Sequence, residues 1–393
     1  MQIKAGNLIP YGKHYIDQND IDSVLSVLKS NFLTQGPKVP ELENKLNLKI
    51  GCKYSVAVNS ATSALHIACL AIGLREEDEV WTSPITFVSS ANCVRFCNAK
   101  ISFVDINKDT WCIDVDLLEA KLKYRKKNNL KIPKIIIAVH LSGQSCEMEK
   151  IHFLSKEYGF FIIEDASHAV GGKYKSHNIG DCRFSDISVF SFHPVKIITS
   201  GEGGLATTNN KNLFKKMSLL RSHGINKKSE EFINKGYGPW YYEQQLLGYN
   251  YRMTDIHAAL CISQLDKLES NIKKRNSISE HYEKQLKHVS IRVQEIPEFV
   301  LSARHLFIIR VDQSLRNNLF KELLDNKIGV NLHYFPVHLQ PYYRSLGFKD
   351  NDFPEAELYS KEAITIPLFP ELTNKELKFI CSTINNYFHE NSL

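Results

Sequence analysis

The chain has 393 residues, of which 43% are hydrophobic and 23% are charged, and its formal net charge is +6. This length and composition allow a large buried core, which excludes a disordered protein. The charge is small for the length, and the densest basic run, residues 121–127, is interpreted as a solvated helix end, so we expect no nucleic-acid binding. The apolar runs are too short to span a bilayer and residues 1–10 lack a signal-peptide core, so we expect a cytoplasmic protein without membrane contact.

The nine cysteines lie far apart, none of them in a C-x-x-C pair. An odd number at irregular spacing predicts neither a disulfide framework nor a metal site.

In chain order, strand and helix patterns alternate from about residue 16. The patterns predict helices at 21–29, 63–73, 87–97, 115–123 and 149–158, and strands at 54–58, 79–82, 101–104, 134–139, 160–163, 187–190 and 205–207. Such alternation is typical of βαβ units, so we expect an α/β fold with a mostly parallel sheet covered by helices on both faces.

The pattern dissolves between residues 227 and 250, where glycines and tyrosines cluster. Beyond it we expect helices at 254–268, from 271, at 315–326 and at 374–389, with strands at 304–311 and near Val330. We therefore predict an N-terminal arm (1–15), a large domain (16–260) and a small C-terminal α/β domain (261–393).

The strand at 54–58 breaks into small polar residues, Ser60, Ala61 and Thr62, just before an apolar helix. We call these three residues the 60–62 turn. Free N–H groups at a helix start, together with two hydroxyls, can hold a phosphate, although ordinary helix capping explains the same pattern.

A second strand, at 160–163, leads into Glu164 and Asp165. Ligands of open α/β sheets bind beyond the carboxyl ends of strands, which places Asp165 where a carboxyl group meets a bound cofactor. The alternative is that Asp165 caps a helix.

A third motif holds Lys196 between Ser191 and a glycine-rich turn at 201–204. A lysine among small and apolar residues loses solvation and becomes partly deprotonated, which is what a Schiff-base lysine needs. The Ser191 hydroxyl is placed to hold a phosphate of the same cofactor. Taken alone, the motif also fits a surface lysine before a glycine turn.

Together the three motifs resemble the fold-type I enzymes that use pyridoxal 5′-phosphate (PLP), and specifically the DegT/DnrJ/EryC1/StrS family of sugar aminotransferases. The resemblance extends over nearly the whole chain and includes residues 10–13, 33–37, 83–88, 222–224, 248–260 and 333–343. It implies a large domain with a mostly parallel central sheet, followed by a smaller C-terminal domain.

The resemblance implies that Lys196 bonds to the cofactor and moves protons, while Asp165 meets the pyridine nitrogen. By the same resemblance Phe87 stacks on the ring, His168 lies near it, and Asn250 reaches the cofactor phosphate of a neighbouring subunit. A homodimer with shared active sites and L-glutamate as amino donor follow from this family pattern.

Among family members the chain is most similar to those that aminate C4 of a UDP-linked 4-keto-6-deoxy-N-acetylhexosamine in pseudaminic acid biosynthesis. The expected contacts of the nucleotide sugar are Tyr11, Gln35, His333 and His338, while Arg252 is expected either to face the carboxylate of glutamate or to cap local backbone. Three alternatives stay open: another UDP- or dTDP-keto sugar, a dehydratase, and a non-catalytic regulator with the same fold. A lysine at 196, where the dehydratases have histidine, favours amino transfer.

Overall fold

The structure is a computed structural model that describes residues 8–234 and 236–391. Its helices are α1 (Gln18–Leu28), α2 (Lys38–Ile50), α3 (Ala61–Ile72), α4 (Ser89–Phe96), α5 (Val115–Lys127), α6 (Met148–Tyr158), α7 (Lys211–Arg221), α8 (Asp255–Leu265), α9 (Leu268–Gln285), α10 (Gln313–Asp325), α11 (Pro341–Arg344), α12 (Pro354–Glu362) and α13 (Asn374–Glu390).

The strands are β1 (Tyr54–Val58), β2 (Glu79–Thr82), β3 (Lys100–Phe103), β4 (Ile135–Val139), β5 (Phe161–Asp165), β6 (Lys173–Tyr174), β7 (His177–Asn178), β8 (Ile187–Ser191), β9 (Gly204–Thr208), β10 (Ile225–Asn226), β11 (Glu243–Gln244), β12 (Arg292–Val293), β13 (Val300–Leu301), β14 (Phe307–Arg310) and β15 (Ala363–Ile366).

A seven-stranded central sheet has the order β1-β9-β8-β5-β4-β2-β3. The pairings from β8 to β3 are all parallel, whereas β9 runs antiparallel to both of its neighbours. Every residue of β4 and β8 is buried, as expected for strands covered on both faces. The predicted α/β fold with a mostly parallel sheet is therefore confirmed.

Helix α3 shows how local sequence sets the ends of an element. Its N-cap, Ser60, accepts a hydrogen bond from the backbone N–H of Ser63 at 3.1 Å. At the other end Gly73 takes a left-handed φ of 85°, which glycine adopts at little cost and which stops the helix.

The C-terminal part of the chain carries a three-stranded antiparallel sheet, β12-β14-β15, which packs with α9, α10 and α13 around a core of its own. The strand expected near Val330 does not form, since the structure has isolated bridges there, one between Ile328 and Ile9 and one between Asn331 and Thr365. Helices α2, α7 and α12 were not predicted. The domain boundary at residue 260 stays a prediction, and it would fall within α8.

Within the described residues no helix has both the length and the apolar character that crossing a membrane requires.

Candidate active site

Three strand ends bring the three sequence motifs together. Because β9 is antiparallel to both β1 and β8, those two strands run in the same direction, and β8 is parallel to β5. The carboxyl ends of β1, β5 and β8 therefore share one edge of the sheet. The 60–62 turn follows β1, Asp165 ends β5, and Lys196 lies in the connection after β8.

A cavity of about 680 Å³ lies at this edge. It is lined by Tyr11, Ser60, Ala61, Thr62, Thr86, Phe87, Ser89, Val139, Asp165, Ser167, His168, Ser191, His193, Val195, Lys196, Glu202, His305, Asn331, Leu332, His333 and Tyr334. Ten of the predicted site residues thus line one space, which is large enough for a drug-sized ligand.

Lys196 is mostly withdrawn from solvent, and burial lowers its pKa from 10.5 to about 8. The Asp165 carboxyl group acts in the opposite direction but more weakly, since burial is the largest influence. An amine with a pKa near 8 is partly deprotonated at neutral pH, so its lone pair is available to attack an aldehyde.

Asp165 is only 5% exposed and is held from two sides. The Ser90 hydroxyl donates a 2.6 Å hydrogen bond to Oδ2, and the backbone N–H of Ser167 donates to Oδ1 at 3.2 Å. Ser90 in turn lies 2.7 Å from the Thr86 hydroxyl. This fixes the orientation of a carboxyl group that faces the cavity.

The 60–62 turn has the geometry of an anion site. The N–H groups of Ala61 and Thr62 belong to the first turn of α3 and have no partner within that helix. Gly204 of β9 packs directly against them, since a Cβ added there would lie 2.5 Å from the Ala61 nitrogen. The three groups fit PLP. The positive helix end suits its phosphate, the acid suits its pyridine nitrogen, and the amine suits its aldehyde.

Phe87 and His168 approach the cavity from different elements. Phe87 precedes α4 and is 56% exposed, so it stands at the cavity wall and not in an apolar core. His168 is buried, and burial is the main cause of a pKa well below the usual range, with Lys196 and His333 adding to it. His168 is therefore a neutral hydrogen-bonding group.

The predicted substrate contacts do not all lie at this cavity. Tyr11 and His333 line the cavity. Gln35 and Arg252 line a separate cavity of about 200 Å³. Asn250, predicted to contact the cofactor of a neighbouring subunit, is exposed and lies two positions before Arg252.

The structure does not place His338 at the cavity where the nucleotide sugar was expected to bind. This side chain is fully buried and lies 3.1 Å from the Glu357 carboxylate, with the Phe103 and Phe353 rings packed against it. It has no surface that faces the cavity, so it serves the core.

Several cavity residues were not predicted. Tyr334 belongs to the 333–343 segment, so a local signal existed for it. Ser90, which bonds to Asp165 without lining the cavity, lies just beyond the 83–88 motif. His193 and Glu202 flank Lys196 in sequence. His305 has no such signal, because the fold alone brings it to the cavity.

Known proteins match this chain over nearly its full length. The profile of the DegT/DnrJ/EryC1/StrS aminotransferase family matches residues 14–385. A Campylobacter jejuni protein named UDP-4-amino-4,6-dideoxy-N-acetyl-beta-L-altrosamine transaminase is 40% identical over 381 residues, 96% of each chain.

Two solved structures share the fold. Helicobacter pylori PseC, an aminotransferase of pseudoaminic acid biosynthesis, superposes with a TM-score of 0.87 at 29% identity, covering 98% of this chain and all of that one. Spr1654 of Streptococcus pneumoniae, in its PMP-form, gives a TM-score of 0.88 at 30% identity, covering 97% and 99% of the two chains. The chain belongs to the DegT/DnrJ/EryC1/StrS aminotransferase family, and it is a PLP-dependent sugar aminotransferase.

Proposed function

We propose that the protein transfers the amino group of L-glutamate to C4 of a UDP-linked 4-keto-6-deoxy-N-acetylhexosamine, in the cytoplasm and as a step of pseudaminic acid biosynthesis. The observation that carries amino transfer is the convergence of Lys196, Asp165 and the 60–62 turn on one cavity. The names of the Campylobacter and Helicobacter relatives support the choice of sugar.

Bound PLP supplies an aldehyde and a ring that withdraws electrons from the reacting carbon. Lys196 contributes an amine that accepts and returns a proton at Nζ, since a pKa of about 8 makes both protonation states accessible near neutral pH. Asp165, held by Ser90, presents its carboxyl group to the ring nitrogen. The 60–62 turn binds the phosphate and so fixes the distance between the ring and Lys196.

The nucleotide sugar brings a diphosphate, and the cavity offers few positive charges to meet it. Among the described residues that line the cavity, Lys196 is the only lysine or arginine. We therefore propose that a second copy of the chain completes the site. Arg252 and Gln35 line a cavity separate from the one that holds their own Lys196, and we propose that they meet the active site of the other subunit.

An exposed apolar patch supports the homodimer. Helix α1 and the turn after it expose large side chains to between 41% and 54%, which are Ile21, Leu25, Leu28, Phe32 and Leu33. A contiguous patch of this kind is costly in water and is typical of an interface. It lies next in sequence to Gln35, so a partner that covers the patch also approaches the cavity lined by Gln35 and Arg252.

The visible absorbance of the purified protein tests the chemistry. We expect a band from the cofactor attached to Lys196, and L-glutamate should convert it to the absorbance of the pyridoxamine form. A Lys196→Ala variant should lack the lysine-attached band. If the wild type shows no band after reconstitution with PLP, the non-catalytic alternative gains support instead.

A product assay tests the sugar. Matched UDP- and dTDP-linked 4-keto sugars are supplied with L-glutamate, and the amino sugar is identified by mass spectrometry and NMR. Clear preference for a dTDP sugar, or for a UDP sugar of different configuration at the hexose, would contradict the proposed pathway while leaving amino transfer intact.

Mixed dimers test the shared site. Lys196→Ala and Arg252→Ala subunits are each expected to give inactive homodimers. A hybrid of the two has one site in which both residues are native, so mixing after reversible dissociation should restore about a quarter of the wild-type activity on statistical grounds. No recovery in verified hybrids would argue against a contribution of Arg252 across the interface.

A further inference from the structure

A chain of hydrogen bonds runs from the backbone at Ser142 through His168 to Tyr334. The Ser142 N–H lies 3.3 Å from Nδ1 of His168, and Nε2 of His168 lies 3.0 Å from the Tyr334 hydroxyl oxygen. His168 and Tyr334 both line the cavity that holds Lys196, and their rings are nearly parallel at 25°.

The first link of the chain sets the direction of the second. A backbone N–H only donates, so Nδ1 of His168 accepts and carries no proton. Burial lowers the pKa of His168 well below its usual range, which keeps the ring neutral. The single ring proton therefore sits on Nε2 and is donated to the Tyr334 oxygen.

The hydroxyl proton of Tyr334 has no acceptor among the described residues. The one hydrogen bond of Tyr334 in the described part of the chain is the bond from His168, in which its oxygen accepts. Burial raises the pKa of Tyr334, and the nearby Asp165 adds to this, so the phenol stays protonated. The hydroxyl proton must then point away from His168, toward the cavity.

We propose that Tyr334 is a hydrogen-bond donor of fixed direction whose acceptor is an oxygen of the bound reactants. His168 is then a positioning residue, since it acts through Tyr334. The inference rests on the proposed function in assuming that the cavity holds PLP and a keto sugar. Two oxygens have the required chemistry: the phenolic oxygen attached to the cofactor ring and the carbonyl oxygen of the keto sugar.

A Tyr334→Phe variant of the holoenzyme removes the hydroxyl, and with it both the proposed donor and the acceptor of the His168 hydrogen bond. If the acceptor is the cofactor oxygen, that oxygen becomes more basic, and the midpoint of the pH titration of the visible band should rise by about one pH unit. This measurement needs no substrate. It therefore tests the donor even where the proposed sugar is wrong.

If the acceptor is the sugar oxygen, the titration should be unchanged and the two half-reactions should separate. Reaction with L-glutamate would keep its rate, while kcat for the keto sugar would fall about 10- to 100-fold with little change in KM, the loss expected for one strong hydrogen bond. If the wild type aminates no keto sugar, the proposed function is contradicted. The pH titration of the visible band then still tests whether Tyr334 donates to the cofactor oxygen.

Two further variants separate donation from general damage. Tyr282→Phe removes another buried tyrosine hydroxyl, which donates to the Pro367 carbonyl at 2.8 Å and does not line the cavity, and it should move neither readout. His168→Gln can still accept from Ser142 and donate to Tyr334, so it should lie nearer to wild type than His168→Phe. A folded Tyr334→Phe enzyme with unchanged titration and unchanged half-reactions would overturn the proposal.

Discussion

Lys196 should reduce the stability of the apoprotein, and replacing it with methionine should reveal by how much. Burial lowers its pKa from 10.5 to about 8, which means that the folded state disfavours the charged ammonium group. Methionine has a similar length and no charge, so Lys196→Met should remove this penalty while abolishing activity.

The magnitude follows from the two pKa values. The difference between 10.5 and about 8, at about 1.4 kcal/mol per pH unit, corresponds to a penalty of about 3 kcal/mol. The unfolded state binds more protons than the folded state between pH 8 and pH 10.5, so the stability of the wild type rises across that range. The penalty is fully present below pH 8 and gone above pH 10.5.

Urea unfolding of the apoproteins at pH 7, 8, 9 and 10 measures the effect, at one fixed protein concentration because dimerisation would contribute to stability. Lys196→Met should be more stable than wild type by about 3 kcal/mol at pH 7, and the advantage should shrink steadily above pH 8. Any gain from burying the thioether does not depend on pH, so the shrinkage is the decisive observation.

Lys121 provides a matched control. Burial lowers its pKa to about 8 as well, but its Nζ donates 2.8 Å hydrogen bonds to Ser102 Oγ and to the Phe103 carbonyl. Lys121→Met leaves both acceptors unpaired, at about 1–3 kcal/mol each, and should give no net gain at pH 7. A Lys196→Met protein no more stable than wild type at pH 7, or an advantage that persists at pH 10, would refute the reasoning.

Three further predictions concern single contacts. Ser90→Ala removes the 2.6 Å hydrogen bond to Asp165 and should weaken the affinity for PLP about 10-fold or more, as measured by absorbance titration of the apoprotein. Unchanged affinity would mean that this bond does not orient the acid. Gly204→Ala would force a Cβ to 2.5 Å from the start of α3, so we expect loss of phosphate-dependent cofactor binding with little change in far-UV circular dichroism. His338→Ala removes the 3.1 Å hydrogen bond to the buried Glu357 carboxylate and should cost about 1–3 kcal/mol in urea unfolding, with KM for the sugar unchanged. A large rise in KM alone would return His338 to the substrate site.

The central motifs could be predicted because their chemistry is local in sequence. Asp165 ends a buried strand, and the 60–62 turn joins a strand to an apolar helix. The parallel sheet then brings such strand ends to one edge. The antiparallel direction of β9 was not predicted. Its connection from β8 contains no helix, and an antiparallel neighbour needs only a loop.

The errors arise where the outcome depends on distant residues. Tyr334 and His168 are 166 positions apart, and no local pattern links them. His338 lies in the same proline-rich segment as Tyr334, but Glu357 draws it into the core. The basic run at 121–127 looked like a solvated helix end, yet Lys121 turns inward to the carbonyl of Phe103.

Burial keeps the lysine of the cavity partly neutral and its histidines uncharged. His168, His305 and His333 all have pKa values lowered first by burial, and Lys196 lowers each of them further. The feature of the cavity that favours an anionic ligand is the positive end of α3 at the 60–62 turn. The dianionic phosphate of PLP therefore stabilises the same arrangement that the unliganded protein holds at a cost.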